Sequence, residues 1–166
     1  MPSIIELENV SLHRENTKIL KNISWNIKKG EHWALIGPNG AGKTSLLKII
    51  SGNLWPSSGK VKVLGKEFGK TDLRGLKKKI GWVSSFLVEK IPANESILEI
   101  IISGKFASFG VYEAITEDDK NKAKELLKLL NCGYIIDRRF NVISQGEKQK
   151  VLIAGALMAE PLILLL

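Results

Sequence analysis

Residues 37–44 read Gly-Pro-Asn-Gly-Ala-Gly-Lys-Thr, a complete match to the pattern GxxxxGK[ST]. Nothing else in the chain restricts its fold as much. Glycines at 37, 40 and 42 suit a backbone that turns tightly with its N–H groups facing inward. The flanks supply what such a loop needs on either side. Trp33-Ala34-Leu35-Ile36 is a short apolar run that predicts a buried strand entering the loop. Leu46, Leu47, Ile49 and Ile50 predict a helix from Thr44 to Ile50, with Gly52 as its C-cap. At an average glycine usage of about 7%, the pattern arises by chance on the order of once in 10⁴ to 10⁵ positions.

Strand, glycine loop and helix in that order hold a nucleoside triphosphate. Inward N–H groups and the positive end of the helix dipole meet the phosphates. Lys43 is placed to reach the β- and γ-phosphates, and the Thr44 hydroxyl to sit on Mg²⁺. Pro38, Asn39, Ala41 and Ser45 complete the stretch assigned to ATP.

At 166 residues the chain has the size of one domain and enough length to bury a core. No stretch approaches the roughly 20 apolar residues of a membrane span, and Met1-Pro2-Ser3-Ile4 does not open a secretion signal. A single cysteine, Cys132, has no partner for an internal disulfide, so a cytoplasmic protein is expected, with Cys132 a small buried residue. The net charge of +8 raises the question of nucleic acid. The one basic run, Lys77-Lys78-Lys79, reads as a solvated face. No strand interleaves basic and aromatic residues as a stacking platform does, so nucleic acid is not the expected partner.

Period-2 alternation marks Ile5–Val10, Asn22–Lys28 and Lys60–Leu64 as half-buried antiparallel strands. Ile80–Val83 predicts a buried strand after the basic, helix-like segment from Asp72 to Lys79. Further on, Glu95–Ile102 is helix-like. A long amphipathic helix is expected from Glu117 to Leu130, with Thr116 as N-cap and Leu126, Leu127, Leu129 and Leu130 as its apolar stripe. Another helix should run from Ser144 to about Met158, opened by a capping box between Ser144 and Glu147. The last five residues, Leu162 to Leu166, are wholly apolar and suit a parallel strand buried on both faces.

Ile143-Ser144-Gln145-Gly146-Glu147, followed by a helix, Glu160-Pro161 and that apolar run, makes the whole chain resemble the ATP-binding cassette (ABC) ATPases. The resemblance implies an α/β fold: a P-loop NTPase of the ABC type with a parallel core sheet, an antiparallel β subdomain and a helical subdomain. Its parts would be residues 1–83 for the nucleotide-binding core and antiparallel part, 84–147 for the helical part, and 148–166 for the return helix and strand. Residues 143–147 stand at the family's signature motif, with Gln145 and Glu147 departing from it. Ser144 and Gly146 thereby inherit contact with the γ-phosphate of ATP held by a second cassette, bound head-to-tail. Ser85 stands where the family has a magnesium-binding glutamine, and Arg14 where an aromatic ring stacks on adenine. A guanidinium can stack on a base, and a solvated turn arginine is the alternative. Ser84-Ser85, the segment 102–110 and the Ser-Gln-Gly-Glu signature look most like a group of ABC ATPases associated with molybdate transport.

The resemblance also implies a metal-holding Asp, a water-polarising Glu and a switch His after the apolar strand. Residues 1–166 offer no match to them, and the two histidines, His13 and His32, precede the loop. The expectation is therefore a cassette incomplete at its C-terminus that binds nucleotide and hydrolyses it negligibly. The full-length parent would be an ATPase coupled to transport, working with a transmembrane subunit at the cytoplasmic face of a membrane. Two other classes stay open: a soluble cassette acting on nucleic acid or the ribosome, and a nucleotide-binding module without turnover.

Overall fold

The computed structural model describes residues 2–70, 72–84, 88–89, 91–92, 94–106 and 114–166, Arg74 by its backbone alone. They belong to two compact units, Met1–Lys77 and Lys78–Leu166. No helix among the described residues is long and apolar enough to cross a membrane.

The first unit is built on an antiparallel sheet of β1 (Ser3–Arg14), β2 (Thr17–Lys28), β3 (Ser58–Val63) and β4 (Lys66–Glu67), in the order β2-β1-β3-β4. Simple alternation along β1 breaks once. Ile5 and Leu7 point into the core, and so do Val10 and Leu12, with Asn9 between them at φ 50. This is a β-bulge: one extra residue keeps both halves of the strand facing the core. The Ser24 hydroxyl accepts from the Asn9 N–H at 3.0 Å, and Ser11 serves Asn22 (φ 47) on the neighbouring strand in the same way. Gly59 lies over the bulge. A Cβ there would stand 2.5 Å from the Asn9 carbonyl oxygen, so only glycine fits.

Helix α1 (Lys43–Ile50) buries Leu46, Ile49 and Ile50 and ends as expected. Gly52 takes φ 71, its N–H bonds to the Ile49 carbonyl at 2.9 Å, and the Asn53 N–H bonds to that of Lys48 at 2.8 Å. Those two bonds make a Schellman motif. The strand predicted before the loop is absent. Residues 31–36 are irregular and exposed, with Ile36 at 93%. An apolar run becomes a strand only by pairing, and none of the described strands pairs with this one. Trp33 instead packs edge-on against Trp25, with centroids 5.4 Å apart, and donates its indole N–H to Glu31. A short helix, α2 (Arg74–Lys77), closes the unit.

In the second unit β5 (Ile80–Trp82) and β6 (Ile163–Leu165) pair in parallel, Gly81 opposite Leu164. The terminal run was expected to be buried on both faces, but it alternates: Ile163 and Leu165 are buried and Leu164 is 37% exposed. Beside β5 and β6 the sheet has no further strand among the described residues, and α5 packs against it. Helices α3 (Ile97–Ser103), α4 (Glu117–Leu129) and α5 (Gln145–Met158) enclose a core of Ile97, Ile101, Leu127, Cys132, Ile135, Phe140 and Val151. On α4 the buried positions are Asp119, Ala123 and Leu127, one turn apart. Leu129 leaves the expected stripe and is 72% exposed. Two residues on from Leu127 is about 200° round the helix, the opposite face.

Candidate functional site

The chain reaches the glycine loop from residues 31–36 and leaves it directly into α1. Gly40 and Gly42 take φ 80 and 87, left-handed values that side chains with a Cβ adopt at a cost. Gly42 is doubly constrained. A Cβ there would lie 2.7 Å from Leu20 Cδ2 and 3.0 Å from the Ile19 carbonyl oxygen, so β2 forms a wall against the end of the loop. Gly37 differs, since its φ is not left-handed and an added Cβ would make only an ordinary contact with Ala41 at 3.7 Å. Two of the three glycines are thus demanded by the loop's own geometry.

Gly42 caps α1 with no side-chain acceptor, and the first turn carries no acidic residue. The first N–H groups of a helix need partners from outside it, and here they are free to meet an anion. The Lys43 ammonium donates to the carbonyls of Gly37 and Pro38, both at 2.7 Å, which draws it across the loop. An ammonium has three N–H donors, so one remains for a phosphate oxygen. Thr44 is exposed on the first turn and Ser45 half-buried beside it; Asn39 and Ala41 lie exposed in the loop. Left-handed glycines, an uncapped helix start and a lysine bridging the loop fit a polyphosphate. Among the described residues no three His, Cys, Asp or Glu groups could hold a metal ion together. Mg²⁺ would fit this site only beside phosphate oxygens, with the exposed Thr44 hydroxyl as the residue that would hold it.

Arg14 is exposed at the end of β1, opposite Thr17 in the hairpin with β2. Leu20, which touches the loop, is three residues from Thr17, or about 10 Å along the strand. Ser85 and residues 107–110 lie outside the described residues.

Ser144 and Gly146 open α5 in the second unit. Both halves of the capping box are formed: the Glu147 N–H donates to Ser144 Oγ at 3.3 Å, and the Ser144 N–H to Glu147 Oε2 at 2.7 Å. The N–H groups of Gln145 and Gly146 make no bond, and the space where a Gly146 Cβ would stand is empty to 4 Å. Sequence reasoning missed one neighbour. Tyr134, in a 3-10 turn at Gly133–Ile135, donates its hydroxyl to Glu147 Oε1 at 2.9 Å. The Arg138 guanidinium sits 5.8 Å from the same ring. The Ser144 hydroxyl, its backbone N–H and Tyr134 together hold the Glu147 carboxyl down at about 2. Glu147 in turn, with Cys132, pushes the Tyr134 phenol up to about 12. Thirteen residues separate Tyr134 from Glu147, a spacing with no local pattern to reveal it.

Comparison with known proteins bears on both motifs. Residues 20–166 match the family described as ABC transporter. The chain is 48% identical over 164 residues to the uncharacterized ABC transporter ATP-binding protein YlmA of Bacillus subtilis, covering 98% of this chain and 62% of that protein. It is 38% identical over 164 residues to a putative ABC transporter ATP-binding protein of Streptococcus mutans, covering 99% and 63%. The chain thus spans about three fifths of the length of these relatives. Among solved structures, the ATP-binding cassette MJ0796, a dimer in a post-hydrolysis state bound to ADP and Pi, aligns with a TM-score of 0.81 at 28% identity. That alignment covers 96% of this chain and 72% of the other. The cbiO1 protein of Clostridium perfringens, part of the ABC transporter complex cbiONQ, aligns at 0.79 and 28% identity, covering 98% and 64%. The chain belongs to the ABC transporter family and has the P-loop fold of its ATP-binding cassettes.

Proposed function

We propose that this protein binds MgATP at Gly37–Ser45 and is the ATP-binding subunit of a transport-coupled ATPase. One observation carries the reading: left-handed Gly40 and Gly42 lead into a helix start with no side-chain cap, and the Lys43 ammonium is drawn over the loop. Gly40, Gly42 and the first N–H groups of α1 would take the β- and γ-phosphates. Lys43 would add a positive charge beside them, Thr44 would hold the metal, and Arg14 is the residue assigned to the base. Mg²⁺, when bound, neutralises the phosphate charge that develops during transfer.

Ser144 and Gly146 act on the nucleotide of a second cassette packed head-to-tail. The dimeric solved relative supports the pairing of two cassettes. A membrane-embedded subunit is the partner that hydrolysis drives, which places the protein at the cytoplasmic face of a membrane; the relatives named as transporter ATP-binding proteins support that part.

The test is a fluorescence titration with a labelled ATP in the presence of Mg²⁺. Lys43→Ala should weaken binding at least about tenfold, the cost of one charge-assisted hydrogen bond. Equal affinities in the two proteins would overturn the assignment.

A further inference from the structure

The donors at the start of α5 are few, and a carboxylate competes for them. Glu147 brings a negative charge to a helix end that, on the function proposed above, must receive the terminal phosphate of another cassette's ATP. Of the groups there, the Ser144 N–H is bonded to Glu147 Oε2, the Glu147 N–H to Ser144 Oγ, and the Lys148 N–H to the Ser144 carbonyl at 2.9 Å. What remains for a phosphate is the Gln145 N–H, the Gly146 N–H and the proton of the Ser144 hydroxyl. That proton is the contested one, because the Glu147 carboxylate already draws it. Glu147 Oε1 has a donor already, the Tyr134 hydroxyl at 2.9 Å. Tyr134 is itself held beside Arg138 and stays 66% exposed.

We propose that Tyr134 is a positioning residue for the nucleotide site formed between two cassettes. By giving the Glu147 carboxylate a second donor, it keeps Glu147 turned toward Gly133–Ile135 and loosens the carboxylate's hold on the Ser144 hydroxyl proton, which then turns to the γ-phosphate. Tyr134 does not touch nucleotide; it acts through Glu147. This proposal rests on the reading of Ser144 and Gly146 as a site that acts across a dimer.

The experiment measures self-association of the full-length protein by sedimentation velocity, with and without Mg²⁺ and the non-hydrolysable ATP analogue AMP-PNP. Binding of labelled ATP to the Gly37–Thr44 loop is measured beside it. Tyr134→Phe should weaken nucleotide-driven association about tenfold, the cost of one hydrogen bond to a charged group, and leave ATP affinity at the loop unchanged. Glu147→Gln keeps a residue that can close the capping box and removes the charge that competes for the Ser144 proton. Adding it to Tyr134→Phe should therefore restore association. A purely structural role for Tyr134 predicts no rescue. Association of Tyr134→Phe equal to wild type, or failure of Glu147→Gln to restore it, overturns the proposal while the dimer reading stands. If the wild-type protein binds ATP but does not associate with AMP-PNP, the dimer reading fails and the proposal falls with it.

Discussion

At the scale of single residues, the loop separates glycines that its backbone demands from one that it tolerates. Gly42 sits at φ 87 with Leu20 and the Ile19 carbonyl where a Cβ would go, whereas Gly37 has ordinary φ and room. Gly42→Ala should lower stability by about 1–2 kcal/mol or more, the cost of a left-handed side chain before any clash is counted. Gly37→Ala should stay within about 0.5 kcal/mol. Urea denaturation of the two variants checks this, and equal losses would refute it. The pattern GxxxxGK[ST] treats both glycines alike, because a motif records residue types and not φ. The wall that β2 puts behind Gly42 is a contact across more than twenty residues, and nothing near the loop in sequence announces it.

Among the elements, α4 shows how a helix end is tied to charge. The Thr116 hydroxyl accepts from the Asp119 N–H, the Thr116 N–H bonds to the Asp119 carboxylate at 3.2 Å, and Lys105 adds an ion pair at 2.9 Å. Lys105 first, then Thr116, lowers the Asp119 carboxyl from 3.8 to about 2. The folded state therefore prefers the ionised form. This contribution is complete above about pH 5 and drains away as pH falls through 3.8 toward 2. The stability difference between the wild type and Asp119→Asn should be constant at neutral pH and close across that acid window. A difference that persists unchanged at pH 2 would contradict it. The caps at Thr116 and Ser144 were legible in the sequence, since a capping box spans four residues and needs no distant partner.

The meeting of α3 and α5 was not legible. A Cβ on Gly104 would stand 2.0 Å from the Gly155 carbonyl oxygen, while one on Gly155 would find only contacts of 3.6 Å or more. Gly104→Ala should therefore cost about 1–3 kcal/mol or more through overpacking. Gly155→Ala should be neutral or stabilising, because alanine is the better helix former by about 1 kcal/mol. Thermal denaturation of the pair distinguishes them, and a larger loss from Gly155→Ala would reverse the packing argument.

For the whole molecule, the informative surfaces are apolar ones left open in each unit. The first exposes Trp33, Leu35 and Ile36, and the second exposes Leu164 on β6 with Leu162 and Leu166 at its two ends. Strands with unpaired edges invite pairing with another chain. The 166-residue chain should therefore self-associate as concentration rises, with or without nucleotide. Leu164→Lys, which places a charge on the open face of β6, should raise the concentration at which association begins. Sedimentation velocity over a hundredfold concentration range checks both, and a wild-type chain that stays monomeric throughout would count against this reading of the surface.

The glycine turn into α1, the helix starts at Thr116 and Ser144, and the glycine-capped end of α1 could all be read from residue order alone. Each depends on φ preferences and hydrogen bonds within a handful of neighbours, so local chemistry suffices. Tertiary structure alone decided the bulge at Asn9 and its need for Gly59, the one-sided burial of β6, the irregular path of residues 31–36 and the bond from Tyr134 to Glu147. In those places the outcome depends on which distant segment lies alongside. An apolar run states that a surface is to be covered; only the fold supplies what covers it.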